Sequence, residues 1–329
     1  MYSLNAISVF KIATTVDTYI YDIIPLSLGL ALLSSDDTVR VLDPLVLGGE
    51  KLLSGVGDRV TCCTALNTQS VVAVAGRDGQ VKIWDLRNRE LAGNFSTGGN
   101  APILSLASCP QFGLAGGSEL TNYEASVFLW DLRQLGAPPI ITYSESHSDD
   151  VTELQFHPNK PNLLLSGSTD GLVNIHNTSF ADDEALHQII NHGASIHHCD
   201  FLNEQDIFAL SHDEKFSVYQ LTADPEENYL QSSETHFGDV REALGGEYVA
   251  KVVGRPDGGA VMGIGTHSQE KFDLFQLKNN RPWSFIQDEK VTLEGAHGPD
   301  IVRSFCFLDN EKTIFTCGED SQVKAWRGD

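Results

Sequence analysis

One short unit recurs seven times along the chain, and its spacing limits what the chain can fold into. Each unit opens on a turn residue, usually Asp, and closes six positions later on a large side chain such as Trp84 or Trp326. Successive closing residues lie 42, 46, 46, 43, 56 and 51 positions apart. Because apolar side chains alternate within the units, as at Val81 and Ile83, each unit is predicted to be a β-strand. The units are 36–42, 78–84, 124–130, 170–176, 213–219, 269–275 and 320–326.

Two further apolar runs precede most units, such as 60–65 and 70–75 before the second unit. Short strands between Gly, Asp and Asn turns, repeated with a period near 40–45 residues, predict small antiparallel sheets arranged as blades. The expected fold is therefore all-β, a seven-bladed WD40 β-propeller. Seven blades leave no room for a second domain, so residues 1–329 are expected to form one propeller domain.

The two ends of the chain complement each other in this prediction. Only residues 327–329 follow the seventh unit, so that blade lacks a fourth strand, while the segment 2–12 has no local partner. Pairing this N-terminal strand with blade seven completes the blade and removes an open edge. We therefore expect the N-terminal strand to close the ring.

Composition narrows the class of partner. The chain has 22 basic and 45 acidic residues, a formal net charge of −23, which disfavours nucleic acids and anionic membranes and favours basic proteins. A charge that only keeps a monomeric protein soluble explains the same numbers. The six cysteines show no C-x-x-C spacing, and no secretory signal is recognisable, so a cytoplasmic or nuclear location is expected.

Two blades contain His, Ser or Thr, Asp and an aromatic side chain at matching spacing. Such a set would suggest a nucleophile with its base in a serine hydrolase. Because the set recurs at the repeat spacing, we interpret it as a hydrogen-bonded tie between strands of one blade. The sets are His147, Ser166, Asp170 and His176 in blade four, and His297, Thr316, Asp320 and Trp326 in blade seven.

Signals for catalysis, metals and cofactors are weak. The one dense cluster of possible ligands, 197–200, lies on a predicted strand, where adjacent side chains diverge. No phosphate loop, nucleophile elbow or dinucleotide fingerprint occurs. We predict a non-enzymatic scaffold for protein–protein interactions, with no cofactor and no metal.

Two arginines form the first candidate binding site. Arg87 and Arg133 each follow a Trp-Asp-Leu sequence in neighbouring blades. Two consecutive W-D-x-R sequences resemble the motif by which WD-repeat substrate receptors dock on the propeller adaptor of cullin-4 ubiquitin ligases. The alternative is that each Arg pairs with a carboxylate or caps a turn within its own blade.

Five carboxylates form the second candidate site, on the face opposite to the arginines. Convergent carboxylates would attract a basic client such as a ribosomal protein or histone. Turn Asp residues that bond their own backbone are the alternative. The residues are Asp58, Asp149, Asp150, Asp239 and Asp300. Two irregular segments, 117–123 and 222–249 with its acidic run 224–227, are expected to be solvated loops.

Several longer stretches carry a family resemblance beyond the repeat itself. They are 143–152, 156–158, 166–174, 211–214, 239–242, 302–306 and 318–320. These stretches resemble the family of WD repeat-containing protein 89. The resemblance implies a non-enzymatic propeller.

Overall fold

The computed structural model describes residues 2–13, 17–66, 70–109, 111, 113–181, 183–223 and 234–328. These residues form 28 β-strands and one short α-helix. They divide into two compact units, the first holding β1–β5 with β22–β28 and the second holding β6–β21. The single domain expected over 1–329 stays a prediction.

The second unit contains four antiparallel sheets of four strands each, blades two to five. Within each blade the strands follow one another in chain order, so neighbouring strands run in opposite directions. Blade two comprises β6 (Val60–Leu66), β7 (Val71–Gly76), β8 (Gln80–Asp85) and β9 (Glu90–Ser96), and blade three comprises β10 (Ile103–Cys109), β11 (Gly113–Ser118), β12 (Ala125–Asp131) and β13 (Ile141–His147). Blade four comprises β14 (Val151–Phe156), β15 (Leu163–Ser168), β16 (Leu172–Asn177) and β17 (Leu186–Asn191), and blade five comprises β18 (Ile196–Phe201), β19 (Asp206–Ser211), β20 (Lys215–Gln220) and β21 (Thr235–Asp239).

The first unit contains blades one, six and seven. Blade one comprises β2 (Ile20–Leu26), β3 (Gly29–Ser34), β4 (Thr38–Asp43) and β5 (Gly48–Ser54), and blade six comprises β22 (Tyr248–Gly254), β23 (Ala260–Thr266), β24 (Lys271–Asn279) and β25 (Trp283–Glu294). Blade seven comprises β26 (Val302–Leu308), β27 (Thr313–Gly318), β28 (Gln322–Arg327) and the N-terminal strand β1 (Tyr2–Lys11). The helix α1 (Val240–Leu244) precedes blade six.

The N-terminal strand supplies the missing fourth strand of blade seven, which confirms that prediction. It pairs antiparallel with β28, from Asn5 opposite Arg327 to Lys11 opposite Gln322. Its first residues also run parallel to β25, so blades six and seven share one eight-stranded sheet.

Each recurring unit of the sequence becomes the third strand of a blade. Its alternate residues are buried between neighbouring blades. Between blades two and three the cluster includes Val81, Phe95 and Trp130, and between blades four and five it includes Ile175 and Phe201. Burying one such side chain contributes roughly 1.5–3 kcal/mol, so these inter-blade clusters are the main source of stability.

Both segments expected to be plain loops contain regular structure. The segment 117–123 belongs to an ordered hairpin, and 222–249 includes β21 and α1. The acidic run 224–227 lies outside the described residues. Asp239, one of the five predicted carboxylates, is the last residue of β21, and α1 separates it from β22, the first strand of blade six.

In the described part of the chain, no helix has the length and apolar character needed to span a bilayer.

Candidate interaction surfaces

A chain of hydrogen bonds links two strands and two loops in blade seven. The Trp326 indole N–H donates to Thr316 Oγ1 at 2.9 Å, and His297 Nδ1 lies 2.7 Å from Asp320 Oδ1. Because the carboxylate accepts, Nδ1 carries the proton, and the Thr316 hydroxyl donates to His297 Nε2 at 2.8 Å. The side chain of His297 is fully buried, so these bonds satisfy groups that water does not reach.

Blade four repeats this arrangement with a histidine in the tryptophan position. His147 Nδ1 lies 3.1 Å from Asp170 Oδ2, and the Ser166 hydroxyl lies 2.8 Å from His147 Nε2 and 3.3 Å from His176 Nε2. A serine has one hydroxyl proton, which goes to His147, so His176 must donate its Nε2–H to Ser166. Burial lowers the pKa of His176 to about 3, which keeps the ring neutral.

The carboxylate of this tie is stabilised as an anion. Burial alone would raise the pKa of Asp170, but hydrogen bonds from His147, Leu172 and Ser148 outweigh it and lower the pKa. Every polar atom named in the two sets is thus occupied within its own tie, and because His147 is the last residue of β13, the tie of blade four also joins it to blade three. The geometry agrees with what a structural tie requires.

Blades two and three keep the tryptophan but lack the hydroxyl beneath it. Thr316 lies two residues beyond the strand partner of Trp326. The same register position holds Val74 beside Trp84 and Gly116 beside Trp130. Among the described residues, the buried indole N–H groups of Trp84 and Trp130 have no hydrogen-bond partner. An apolar or glycine residue at this position is the sequence signal that separates tied from untied blades.

The two W-D-x-R arginines each bind the aspartate of their own motif. The Arg87 guanidinium contacts Asp85 through Nε at 3.0 Å and Nη2 at 2.6 Å, and Arg133 contacts Asp131 at 2.8 and 2.6 Å. Hydrogen bonds from Arg87 lower the pKa of Asp85 to about 2. The arginine side chains nevertheless remain 67% and 66% exposed. Both lie at the end of a third strand, so they occupy equivalent positions in adjacent blades.

The five predicted carboxylates do not share one environment. Asp58 is exposed before β6, and Asp300 is exposed before β26 in the other unit. Asp149 accepts the Asp150 N–H at 2.9 Å, and Asp150 accepts the Leu120 N–H at 2.7 Å. Asp239 is half-buried at the end of β21. The structure thus brings Asp149 and Asp150 together and ties Asp150 to blade three.

An ordered hairpin joins β11 and β12, and sequence reasoning did not single it out as a site. We call residues 119–124 the blade-three hairpin. Thr121 and Glu124 exchange backbone hydrogen bonds of 2.9 and 3.1 Å around a two-residue turn. Both turn residues are left-handed, Asn122 at φ 54° and Tyr123 at φ 70°, which is the pattern of a type I′ turn. The tip residue Tyr123 is 98% exposed.

Neighbouring blades hold the base of this hairpin. The Glu119 N–H donates to Pro102 O at 2.9 Å, the Glu119 carboxylate lies 3.4 Å from Arg77, and the Asp150 carboxylate accepts from Leu120. Contacts from blades two and four therefore fix the loop.

One cavity of about 570 Å³ lies beside β13 and β17. Its lining includes His176, Tyr143 and Glu145. The Tyr143 hydroxyl donates to Phe180 O at 2.7 Å, and its ring stacks on His176 at 4.7 Å. Two of these three groups are therefore already engaged.

The thiol groups of Cys62 and Cys306 are held in their neutral form. Burial raises the pKa of Cys62 and of Cys306 to about 12, so both thiols are protonated at neutral pH. Within the described ranges, no group of three or more His, Cys, Asp and Glu side chains could hold a metal ion.

The repeats match a known family. The family described as WD domain, G-beta repeat matches residues 50–85, 138–177 and 288–327. An uncharacterized WD repeat-containing protein of Schizosaccharomyces pombe is 32% identical over 279 residues, covering 82% of each chain. The chain belongs to the WD40-repeat family. WD-repeat proteins generally act as scaffolds that bind other proteins.

Two further relatives support this placement. A WD repeat-containing protein 89 homolog of Dictyostelium discoideum is 25% identical over 287 residues, covering 84% of this chain and 73% of that protein, which confirms the resemblance. An uncharacterized WD repeat-containing protein of Saccharomyces cerevisiae is 36% identical over 254 residues, 75% of this chain. The matched region spans 61% of that yeast protein.

A solved structure shows the fold. A chain in the crystal structure of a mitotic checkpoint complex superposes with a TM-score of 0.76 at 15% identity, covering 100% of this WD40-repeat protein and 93% of that chain. This likeness, with the repeated four-stranded sheets, confirms the predicted class of seven-bladed WD40 β-propeller.

Proposed function

We propose that this WD40-repeat protein is a non-enzymatic scaffold that binds a basic protein partner through loops of blades two to four. The observation that carries this proposal is the charge of the loops at one end of these blades. Because strands alternate in direction, the loop before a first strand and the loop between second and third strands share an end. In the second unit these loops hold two arginines and seven carboxylates, one of which is the buried Asp170 of the blade-four tie. The loops are 57–59, 77–79, 97–102, 119–124, 148–150 and 169–171.

At the opposite end, the loops after the third strands of blades two and three are not acidic, whereas the corresponding loop of blade four, 178–185, holds three carboxylates. The loops 86–89 and 132–140 hold three arginines and no carboxylate. A cationic segment is therefore attracted to one end of the second unit, in addition to the net charge of −23. A ribosomal protein or a histone tail has the required chemistry, in the cytoplasm or the nucleus.

A salt titration with a defined probe tests this proposal. The probe is a fluorescent peptide in which arginine alternates with serine, and the variant is Asp58→Asn with Asp149→Asn and Asp150→Asn. The Asp150→Asn substitution keeps a side-chain oxygen for the Leu120 N–H, so it removes charge and preserves the anchor. We expect the dissociation constant to rise steeply with salt in the wild type and to be about tenfold higher in the variant at low salt.

A charge-matched control separates local from total charge. Glu289→Gln with Glu294→Gln and Glu311→Gln removes three charges from the first unit. Equal weakening by both triple variants, or binding that ignores salt, contradicts the proposal.

The exposure of the W-D-x-R arginines favours a second candidate, a substrate receptor of a cullin-4 ubiquitin ligase. Asp85 and Asp131 hold the two guanidiniums in defined orientations while two-thirds of each side chain stays exposed. A pre-oriented arginine loses less entropy on binding, which suits a docking residue.

Co-purification tests the adaptor role. Arg87→Ala with Arg133→Ala should abolish recovery of the ligase adaptor, whereas Arg89→Ala, an exposed arginine outside the motif position, should not. Unchanged recovery with the double variant would remove this candidate.

A further inference from the structure

The side chain of Tyr123 contributes little to the stability of the fold. Its side chain is 98% exposed, so it buries almost no apolar surface within the chain. Its φ of 70° lies in the left-handed region, where a bulky residue costs roughly 1 kcal/mol relative to glycine. Asn-Gly is the preferred sequence for such a turn, yet this chain has Asn122-Tyr123.

The surroundings of Tyr123 are acidic and apolar together. Glu119 and Glu124 lie at the base of the hairpin, Asp150 holds its backbone, and Leu120 is 37% exposed beside them. Arg77 approaches this group and is paired with Glu119. An occupant that matches these features carries positive charge on long aliphatic stems.

From these contacts we infer that the blade-three hairpin is the docking element for an arginine- or lysine-rich segment of a partner protein. This inference rests on the proposed function and adds the residue that contacts the partner. The Tyr123 ring stacks against a guanidinium or ammonium group through its negative face, and Leu120 contacts the aliphatic stem. The nearby carboxylates bind the same cations at their edges.

Tyr123→Gly is the informative variant because we expect it to weaken binding without lowering stability. Glycine relieves the left-handed strain, so the thermal unfolding midpoint should rise or stay unchanged. Loss of the ring should weaken the arginine–serine peptide about three- to tenfold at low salt. A gain in stability with a loss of binding rules out misfolding as the cause.

Matched variants complete the test. Tyr123→Trp should bind the peptide at least as well as the wild type, because Trp gives the strongest cation–π contact. Tyr2→Ala removes another exposed tyrosine, 67% exposed on β1, and should leave the dissociation constant unchanged. A peptide with glutamine in place of arginine should not bind.

The results distinguish the two proposals. If Tyr123→Gly binds the peptide like the wild type while the triple Asp→Asn variant binds weakly, this inference fails and the proposed function stands. If the glutamine peptide binds as well as the arginine peptide, both fail. If Tyr2→Ala weakens binding as much as Tyr123→Gly, the hairpin is not the docking element.

Discussion

His176 makes the hydrogen bond that tryptophan makes in blade seven, and the substitution introduces a titratable group. Its pKa of about 3 lies far below the ordinary histidine value, because burial disfavours the charged ring. As the pH falls through 6.5, His176 therefore binds a proton in the unfolded chain but stays neutral in the folded chain. Stability is fully present above that pH and falls as the pH drops toward 3, by up to about 1.4 kcal/mol per pH unit.

His176→Phe isolates this effect. At pH 7 the variant should be about 1 kcal/mol less stable than the wild type, since Ser166 loses one donor. At pH 5 the difference should vanish or reverse, because phenylalanine takes up no proton in the unfolded state. Urea unfolding at a series of pH values measures both. Trp326→Phe removes the matching donor without a titratable group, so its deficit should not change with pH.

Trp130 and Trp326 offer a matched comparison of one hydrogen bond. Both side chains are buried, at 0% and 1% exposure, but only Trp326 has an acceptor for its N–H. Replacing each by Phe removes a similar volume, so Trp326→Phe should cost about 1 kcal/mol more than Trp130→Phe. Equal losses in urea unfolding would show that the tie contributes nothing measurable.

The sequence could predict some side-chain partners and not others. His147 and His297 each stand 19 residues before a hydroxyl residue, and that repetition pointed to the ties. Asp150 gave no such signal. Its partner is a backbone N–H of the blade-three hairpin, 30 residues earlier in a segment that breaks the repeat.

Among the elements, β1 has the longest-range role. Six residue pairs join it to β28, more than 300 positions away. Its two neighbours in the sheet come from blades six and seven. The strand is thus part of the folded sheet, although its own residues are mostly exposed.

Removing β1 and returning it as a peptide tests this role. A chain of residues 12–329 should lose about 3–6 kcal/mol of stability, from six residue pairs at roughly 0.5–1 kcal/mol each. Adding the peptide 2–11 should restore much of it, and the same peptide with Phe10→Pro should not, because proline cannot donate to the ladder. An unchanged urea midpoint for the shortened chain would contradict this role.

Some strands could be predicted from the sequence more readily than others. The third strands were predictable because they are buried and end on large side chains. The outer strands β5, β9, β13, β17 and β21 were not, because their exposed residues carry little apolar alternation. The hairpin tip was missed for a related reason, since Asn122 and Tyr123 adopt left-handed backbone in a turn that usually contains glycine.

On the scale of the whole molecule, the net charge of −23 could be counted from the sequence, but its distribution could not. The order of strands in blades two to four decides that Asp58, Asp149 and the hairpin carboxylates share one end of their blades. The arginines of the W-D-x-R motifs lie at the other end. This difference between the two ends holds in blades two and three, and it is why we assign the acidic end to a basic partner.

The most direct measurement of that assignment is affinity purification of the tagged protein from its native cells at low salt. Wild type, the triple Asp→Asn variant and the charge-matched triple Glu→Gln control are compared by quantitative mass spectrometry. We predict that basic proteins are retained by the wild type and the Glu→Gln control and lost from the Asp→Asn variant. Recovery of the same proteins by all three, or loss of partners that are not basic, would contradict the account.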